Sequence, residues 1–174
     1  LITSFRPSPD IRRDGGWNVF TKPNFTLDNY EAALGTGGLG EMFINSIVIT
    51  LPAVIIPIIL ALLAAYAFAW IEFKGRYLLF VAVFALQGVP IQVTLIPLLT
   101  TYVKTGLAGT FWTVWLSHTI FGLPLAIFLL HNFMKEIPRS LIEAARVDGA
   151  GHVRVFFQVL MPLLMPAIAS FGIF

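Results

Sequence analysis

An all-α bundle of membrane-spanning helices is the fold class predicted here, and three observations predict it. The first is composition: 57% of the 174 residues are hydrophobic and 11% charged, whereas soluble domains carry roughly 25% charged residues. The second is where the charges fall. Nine of the twenty lie in residues 1–41, three in 72–76, one at 104 and seven in 135–154. The charge-free intervals between and after them are 42–71, 77–103, 105–134 and 155–174. The third is length. Each internal interval exceeds the roughly 20 apolar residues that cross about 30 Å of hydrocarbon as a helix. Backbone groups in lipid must be satisfied within their own segment, which selects helices. The runs also lack the polar–apolar alternation of a transmembrane β-strand.

Composition excludes some functions too. The chain has no cysteine, so neither disulfides nor cysteine-ligated metal enter, and no other metal site is expected. A net charge of +2 is too small to point to nucleic acid, and the basic residues sit at membrane edges. Leu1 is not a start methionine, and Leu1-Ile2-Thr3-Ser4-Phe5 has the character of the tail of an earlier hydrophobic span. The chain stops twelve residues past Pro162. The expectation is a fragment truncated at both ends, following a missing first helix and lacking the completion of its last.

Taken in order, residues 1–41 are polar and rich in Gly, Pro, Asn and Asp. They read as an external segment with one short helix at 27–34. The stretch from Gly35 to Gly40 contains four glycines and leads flexibly into the membrane domain, 42–174.

The first span is expected at about 43–71, bent by Pro52 and Pro57, each of which removes a backbone donor. Ala61, Ala65 and Ala69 recur at i, i+4, i+8, a small-residue face on which helices pack closely in lipid. The second span, about 77–103, is interrupted by Gln87, Gly88, Pro90, Gln92, Thr94 and Pro97. Polar groups at membrane depth face protein or a water-filled path. Gln87, Gln92 and Thr94 are therefore candidate transport-path lining or, equally, interhelical hydrogen-bonding groups.

The third span, about 110–134, carries Ser117, His118 and Thr119, followed by Gly122 and Pro124. Ser117 and His118 join the candidate lining. His118 is an ionisable side chain at membrane depth, but one His without a carboxylate in its span makes a poor proton relay. A fourth span starts near 159, its approach bracketed by Pro162 and Pro166, and runs to 174.

Orientation follows from the basic residues. Lys74, Arg76, Lys135, Arg139, Arg146 and Arg154 share one side, against Lys22 and Lys104 near the membrane on the other. Six against two places 72–76 and 135–158 in the cytoplasm. Arg6, Arg12 and Arg13 count little, because long loops translocate largely regardless of charge.

The cytoplasmic loop 135–158 is too long for a simple connection and too apolar for a solvated linker. Pro138 suits the first position of a helix. Ser140-Leu141-Ile142-Glu143 also matches a capping box, which starts the helix two residues later. Gly149 is a natural stop. Helix 138–148 then has Leu141, Ile142 and Ala145 on one apolar face. After the Gly149-Ala150-Gly151 turn, a second helix from about 152 runs into the fourth span, with Val153, Phe156, Phe157 and Leu160 at helical spacing. Such a knob fits a groove on a cytoplasmic partner or lies on lipid. Glu143 is either a capping residue or a contact.

This loop resembles the EAA loop of permease subunits in ABC importers, whose pattern is EAA, three residues, Gly, nine residues, then Ile-x-Leu-Pro. Here Glu143-Ala144-Ala145 is followed by Arg146-Val147-Asp148 and Gly149, and nine residues later by Val159-Leu160-Met161-Pro162. The departures are Val159 for Ile and Met161 for Leu. Gly122-Leu123-Pro124, Phe133, Ile137-Pro138 and Asp148-Gly149-Ala150 resemble the carbohydrate branch, the maltose-type permeases. So do Phe25-Thr26-Leu27-Asp28-Asn29-Tyr30 and Ser4-Phe5-Arg6.

The resemblance implies the ABC type I importer permease fold and a multi-pass protein of a prokaryotic cytoplasmic (inner) membrane. It implies partners: two ATP-binding cassette subunits, a second permease subunit and an extracytoplasmic solute-binding protein. It implies that Glu143 pairs with a basic ATPase residue, that Ala144 and Ala145 permit close packing, and that Gly149 supplies the turn. Arg146 and Asp148 belong to the same ATPase-coupling stretch. No phosphate-binding G-x-x-x-x-G-K-[ST] loop is present, so ATP and Mg are expected on the partner subunits and no cofactor on this chain. No H-E-x-x-H or G-x-S-x-G motif marks a catalytic site. His118, His131 and His152 fall at a span interior, a span end and a loop, so an intramembrane enzyme is disfavoured. The remaining rivals are a permease for a peptide, amino acid or ion, and a non-transporting membrane scaffold.

Overall fold

A computed structural model describes residues 2–14, 24–35 and 38–173. Lys22, counted above for orientation, Thr36-Gly37 of the glycine-rich stretch and Phe174 lie outside the described residues. All regular structure among the described residues is helical, and the chain divides into two compact units, Leu1–Val48 and Ile49–Phe174.

The first unit holds a 3₁₀ turn, Ile2–Phe5, and two short helices, α1 (Ser8–Asp14) and α2 (Asp28–Gly35). The Thr26 hydroxyl accepts the Asp28 amide at 3.1 Å, satisfying one free donor at the start of α2. The two N-terminal motifs singled out in the sequence meet here. The Asn29 side-chain amide donates to the Ser4 carbonyl at 3.0 Å and to the Arg6 carbonyl at 2.6 Å. The Phe5 and Tyr30 rings lie 5.1 Å apart.

Helix α3 (Leu39–Trp70) continues through Pro52 and Pro57 without a break. At 1.5 Å per residue its 32 residues extend roughly 48 Å, ample to cross a bilayer. Ala61 and Ala65 have no exposed surface, and Ala69 packs at the edge of the core. The small-residue face is therefore the face on which α3 meets its neighbours.

The interval 77–103, expected to be interrupted in its middle, is two helices, α4 (Arg76–Ala85) and α5 (Ile91–Lys104). They are bent by 95° at a break. The cause is local. A residue before proline is driven from the helical region, and Val89, which precedes Pro90, is extended at ψ 118°. Pro90 has no N–H to continue the ladder, and Leu86–Gly88 tightens into a 3₁₀ turn before it.

Neither arm reaches the roughly 20 residues needed to cross alone. Together they follow α6 (Phe111–Glu136) in the antiparallel sense. Phe80 stacks near His131 at 4.3 Å and Phe84 near Phe128 at 4.4 Å. Further along, residues 86–94 face Ile120, Phe121 and Pro124, and the Tyr102 hydroxyl bonds Ser117 at 3.0 Å. The contacts advance along α6 from His131 to Ser117, the order that a broken span gives.

The cytoplasmic-loop helix α7 spans Arg139–Val147, and the last span, α8, spans His152–Ile173. Within α8 the stretch Val155–Leu160 is a π-helix. Pro162 offers no N–H to the Gln158 carbonyl, and its ring crowds that carbonyl. The wider turn lies over this position. The core of the second unit comes from α3, α6, α7 and α8: Leu62 and Phe68, Leu130 and Met134, Ile142, and Leu160 and Leu164 are among its buried side chains.

Candidate functional site

The 139–151 loop is a short helix closed by a glycine turn. Its geometry begins at Pro138, which sits at the cap position with no side-chain cap bond. Neither sequence expectation for the start holds. Pro138 lies one residue outside the helix, and Ser140, already inside it, makes no capping box. Ile137 is extended (ψ 125°), as the proline that follows favours, and Pro138 is itself extended (ψ 131°), so the helix starts at Arg139.

The other end follows the expectation. Gly149 has φ +78°, a left-handed conformation that costs a non-glycine residue roughly 1–2 kcal/mol. Its N–H donates to the Arg146 carbonyl at 3.0 Å, and the Ala150 N–H donates to the Ala145 carbonyl at 2.9 Å. This pair of bonds is a Schellman closure. Ala145 thus supplies the carbonyl and, with Ala150, the small apolar contact that seals the turn.

Helix α7 has one deeply buried side chain, Ile142, with Ala145 packed beside it. Leu141, expected on the same face, is exposed instead. One residue is a 100° rotation, so only one of two adjacent apolar side chains faces inward. Leu141, Ala144 and Val147 form an outward apolar strip, Val147 being 86% exposed. Along the start of α8 the same division holds: Val155, Phe156 and Leu160 are buried, while Val153 and Phe157 are exposed.

On the flank of α7, Arg139, Glu143 and Arg146 line a cleft of about 140 Å³ with Trp70, Glu72 and Arg76. Three of the six basic residues assigned to one side of the membrane by charge counting, Arg76, Arg139 and Arg146, therefore converge in space. Glu143 is exposed and has no ion-pair partner within the chain among the described residues. Arg146 and Asp148 are exposed as well.

A side-chain hydrogen bond ties α3 to the residue that follows the loop. The Tyr66 hydroxyl of α3 lies 2.7 Å from His152 Nδ1 and 3.5 Å from the His152 carbonyl. The Tyr66 ring is buried and meets Phe156 edge-on, centroids 5.3 Å apart. Sequence reading missed Tyr66, although a lone tyrosine in α3 is itself a signal.

The candidate path residues separate into two groups. Gln87, Gln92 and Thr94 line a cavity of about 380 Å³ at the α4–α5 break, opposite Phe121 and Pro124. His118 borders a different cleft of about 470 Å³, formed with Thr50, Pro57, Phe121, Gly122 and Phe171. Ser117 lies at neither, but it and His118 border a further cavity of about 430 Å³ with Leu95, Leu99 and Tyr102. The Ser117 hydroxyl donates to the Thr113 carbonyl at 2.6 Å and bonds Tyr102, so it ties α5 to α6. Phe121 borders the first two cavities. An aromatic residue in an apolar span carries no polar signal by which the sequence could have revealed it. No group of three or more His, Cys, Asp or Glu side chains among the described residues could hold a metal ion.

Residues 57–174 match the family described as the inner membrane component of binding-protein-dependent transport systems. The chain is 52% identical over its full length to an osmoprotective compounds uptake permease protein, GgtD, of Synechocystis, covering 60% of that protein. It is 46% identical, over 98% of its length, to an alpha-glucoside transport system permease protein, AglG, of Rhizobium meliloti, covering 48% of it. It is 32% identical over its full length to a diacetylchitobiose uptake system permease protein, NgcG, of Streptomyces coelicolor, covering 57% of it. The chain thus spans about half to three-fifths of the length of these relatives.

Proposed function

The chain belongs to the family of inner membrane components of binding-protein-dependent transport systems, and from that premise we propose that it is part of a permease subunit importing a sugar or oligosaccharide. ATP hydrolysis in partner cassette subunits, which hold the ATP and Mg, drives the import. A second permease subunit and an extracytoplasmic solute-binding protein complete the complex. The observation that carries the reading is the 139–151 loop: a short helix anchored by Ile142, closed at Gly149, with Glu143 unpaired among the described residues and an apolar strip turned outward.

In this reading α7 docks in a groove on the ATPase. Glu143 pairs with a basic ATPase residue, Ala144 allows close approach, and Leu141 and Val147 fill the groove. Ala145 and Gly149 hold the helix in shape, with Arg146 and Asp148 at the rim. Closure of the ATPase dimer carries α7 and shifts the spans between inward- and outward-facing states. A ligand shifts such an equilibrium only by its differential affinity for the two states. The solute path uses the cavities lined by Gln87, Gln92 and Thr94 and by His118. The names of the relatives at 46% and 32% identity, an alpha-glucoside and a diacetylchitobiose permease, support a carbohydrate. The relative at 52% identity supports a second reading, an osmoprotective compound as solute.

The test is purification of the full-length protein from native membranes, identification of its companions, and solute-stimulated ATP hydrolysis in vesicles with panels of sugars and osmoprotective compounds. A cassette ATPase, a second permease and a binding protein are expected, with stimulation by a carbohydrate. Glu143→Lys and Val147→Asp are expected to lose the ATPase while remaining inserted. Full solute-stimulated hydrolysis by Glu143→Lys, or a complex with no ATPase, overturns the coupling role.

A further inference from the structure

We infer that Tyr66 is a positioning residue that transmits the movement of α7 to the first described span; the inference rests on the coupling reading above. Four observations meet at this side chain. Tyr66 lies on α3, one turn from the end at Trp70. It is 7% exposed. Its hydroxyl reaches His152, the first residue of α8, at Nδ1 (2.7 Å). Its ring packs edge-on against Phe156 at the start of the π segment.

The connection between α7 and α8 makes this contact mechanically important. After Val147 the chain passes through Asp148, Gly149, Ala150 and Gly151 before His152. The turn is closed by the Gly149 and Ala150 N–H groups on the Arg146 and Ala145 carbonyls, so a displacement of α7 is carried to His152. From His152 the displacement reaches α3 through whatever joins the start of α8 to that helix. Ile142 offers a non-directional apolar contact that can slide. The Tyr66–His152 bond is directional and part-buried: the Tyr66 side of it is buried, while His152 is exposed. His152 also lies next to the π segment, a feature common at functional positions in helices. Tyr66 joins α3 to the point where the loop becomes the last span.

The bond is available in either neutral tautomer of His152, with the hydroxyl donating to Nδ1 or accepting from Nδ1–H. An asparagine at 152 places an amide close to the position of Nδ1 and can replace either role, which makes it a rescuing substitution.

The experiment uses the full-length protein assembled with its ATPase, second permease and binding protein in lipid vesicles. It measures solute imported per ATP hydrolysed and, separately, retention of the ATPase. Tyr66→Phe keeps the ring and its contact with Phe156. It is expected to keep the ATPase bound and hydrolysing while import per ATP falls about five- to tenfold, the effect of one net hydrogen bond. His152→Ala is expected to show a similar loss, His152→Asn to recover most of it, and Tyr66→Phe with His152→Ala to be no worse than either alone. Unchanged import per ATP in Tyr66→Phe, or additive losses in the double variant, overturns the positioning role while leaving the coupling reading intact. A wild-type complex that carries no ATPase overturns both.

Discussion

At the residue scale, conformation and packing set what each position tolerates. Gly149 sits at φ +78°, and a Cβ added there would meet no neighbouring atom within 4 Å. Any penalty for Gly149→Ala therefore comes from backbone conformation alone. The expected cost is about 1–2 kcal/mol of local stability. It is read as faster amide exchange at Gly149 and Ala150, whose N–H groups close the turn. Unchanged protection there would remove the Schellman closure from the account of α7. Ala65 is the opposite case. It has no exposed surface, and Ala65→Leu forces side chain into a filled helix contact, with an expected loss of about 1–3 kcal/mol. A lower melting temperature of the detergent-purified protein checks it, with exposed Leu63→Ala as the control expected to change little.

At the scale of elements, the α4–α5 break is a consequence of four adjacent residues, Gln87-Gly88-Val89-Pro90. Replacing Gly88 and Pro90 by alanine restores a backbone donor and releases Val89 to the helical region. Spin labels at the exposed positions Tyr77 and Val103 measure the result. Two arms of about 20 Å at a right angle place the labels roughly 27 Å apart, and a straight helix about 40 Å. The distance distribution is expected to move toward the larger value, and solute import to fall because the cavity beside Gln87, Gln92 and Thr94 closes. An unmoved distribution would assign the bend to packing on α6. Glycine and proline at this position were visible as interruptions in the sequence. The size of the bend was not, because it depends on how α4 and α5 pack against Phe128, His131 and Ser117.

At the scale of the second unit, a broken span at α4–α5 predicts that 72–76 and 139–154 share one side and 104–109 occupy the other. The absence of cysteine makes this directly measurable with single introduced cysteines. Lys74→Cys and Asp148→Cys are expected to react with an impermeant maleimide only from the cytoplasmic side, and Thr105→Cys only from the outside. Reaction of Lys74→Cys and Thr105→Cys from one side, with Asp148→Cys reacting from the other, would show that α4 and α5 form a re-entrant loop and do not cross.

The positions of charge and of long apolar intervals were enough to determine the all-helical membrane-spanning class, since hydrocarbon leaves an isolated backbone few other ways to satisfy its polar groups. Local chemistry was enough to place Gly149 at a helix end and the small face Ala61–Ala65–Ala69 at a contact, because both depend on a residue and its immediate neighbours. What required the folded arrangement was every relation across sequence distance. The choice of Ile142 over Leu141 as the buried anchor depends on where the core lies. The separation of His118 from Gln87, Gln92 and Thr94, with Phe121 between their cavities, depends on the bend at Pro90. The meeting of Tyr66 with His152 joins positions 86 residues apart. A linear pattern records the periodicity of a helix, but the rotation at which it meets its neighbours is fixed by packing against all of them together.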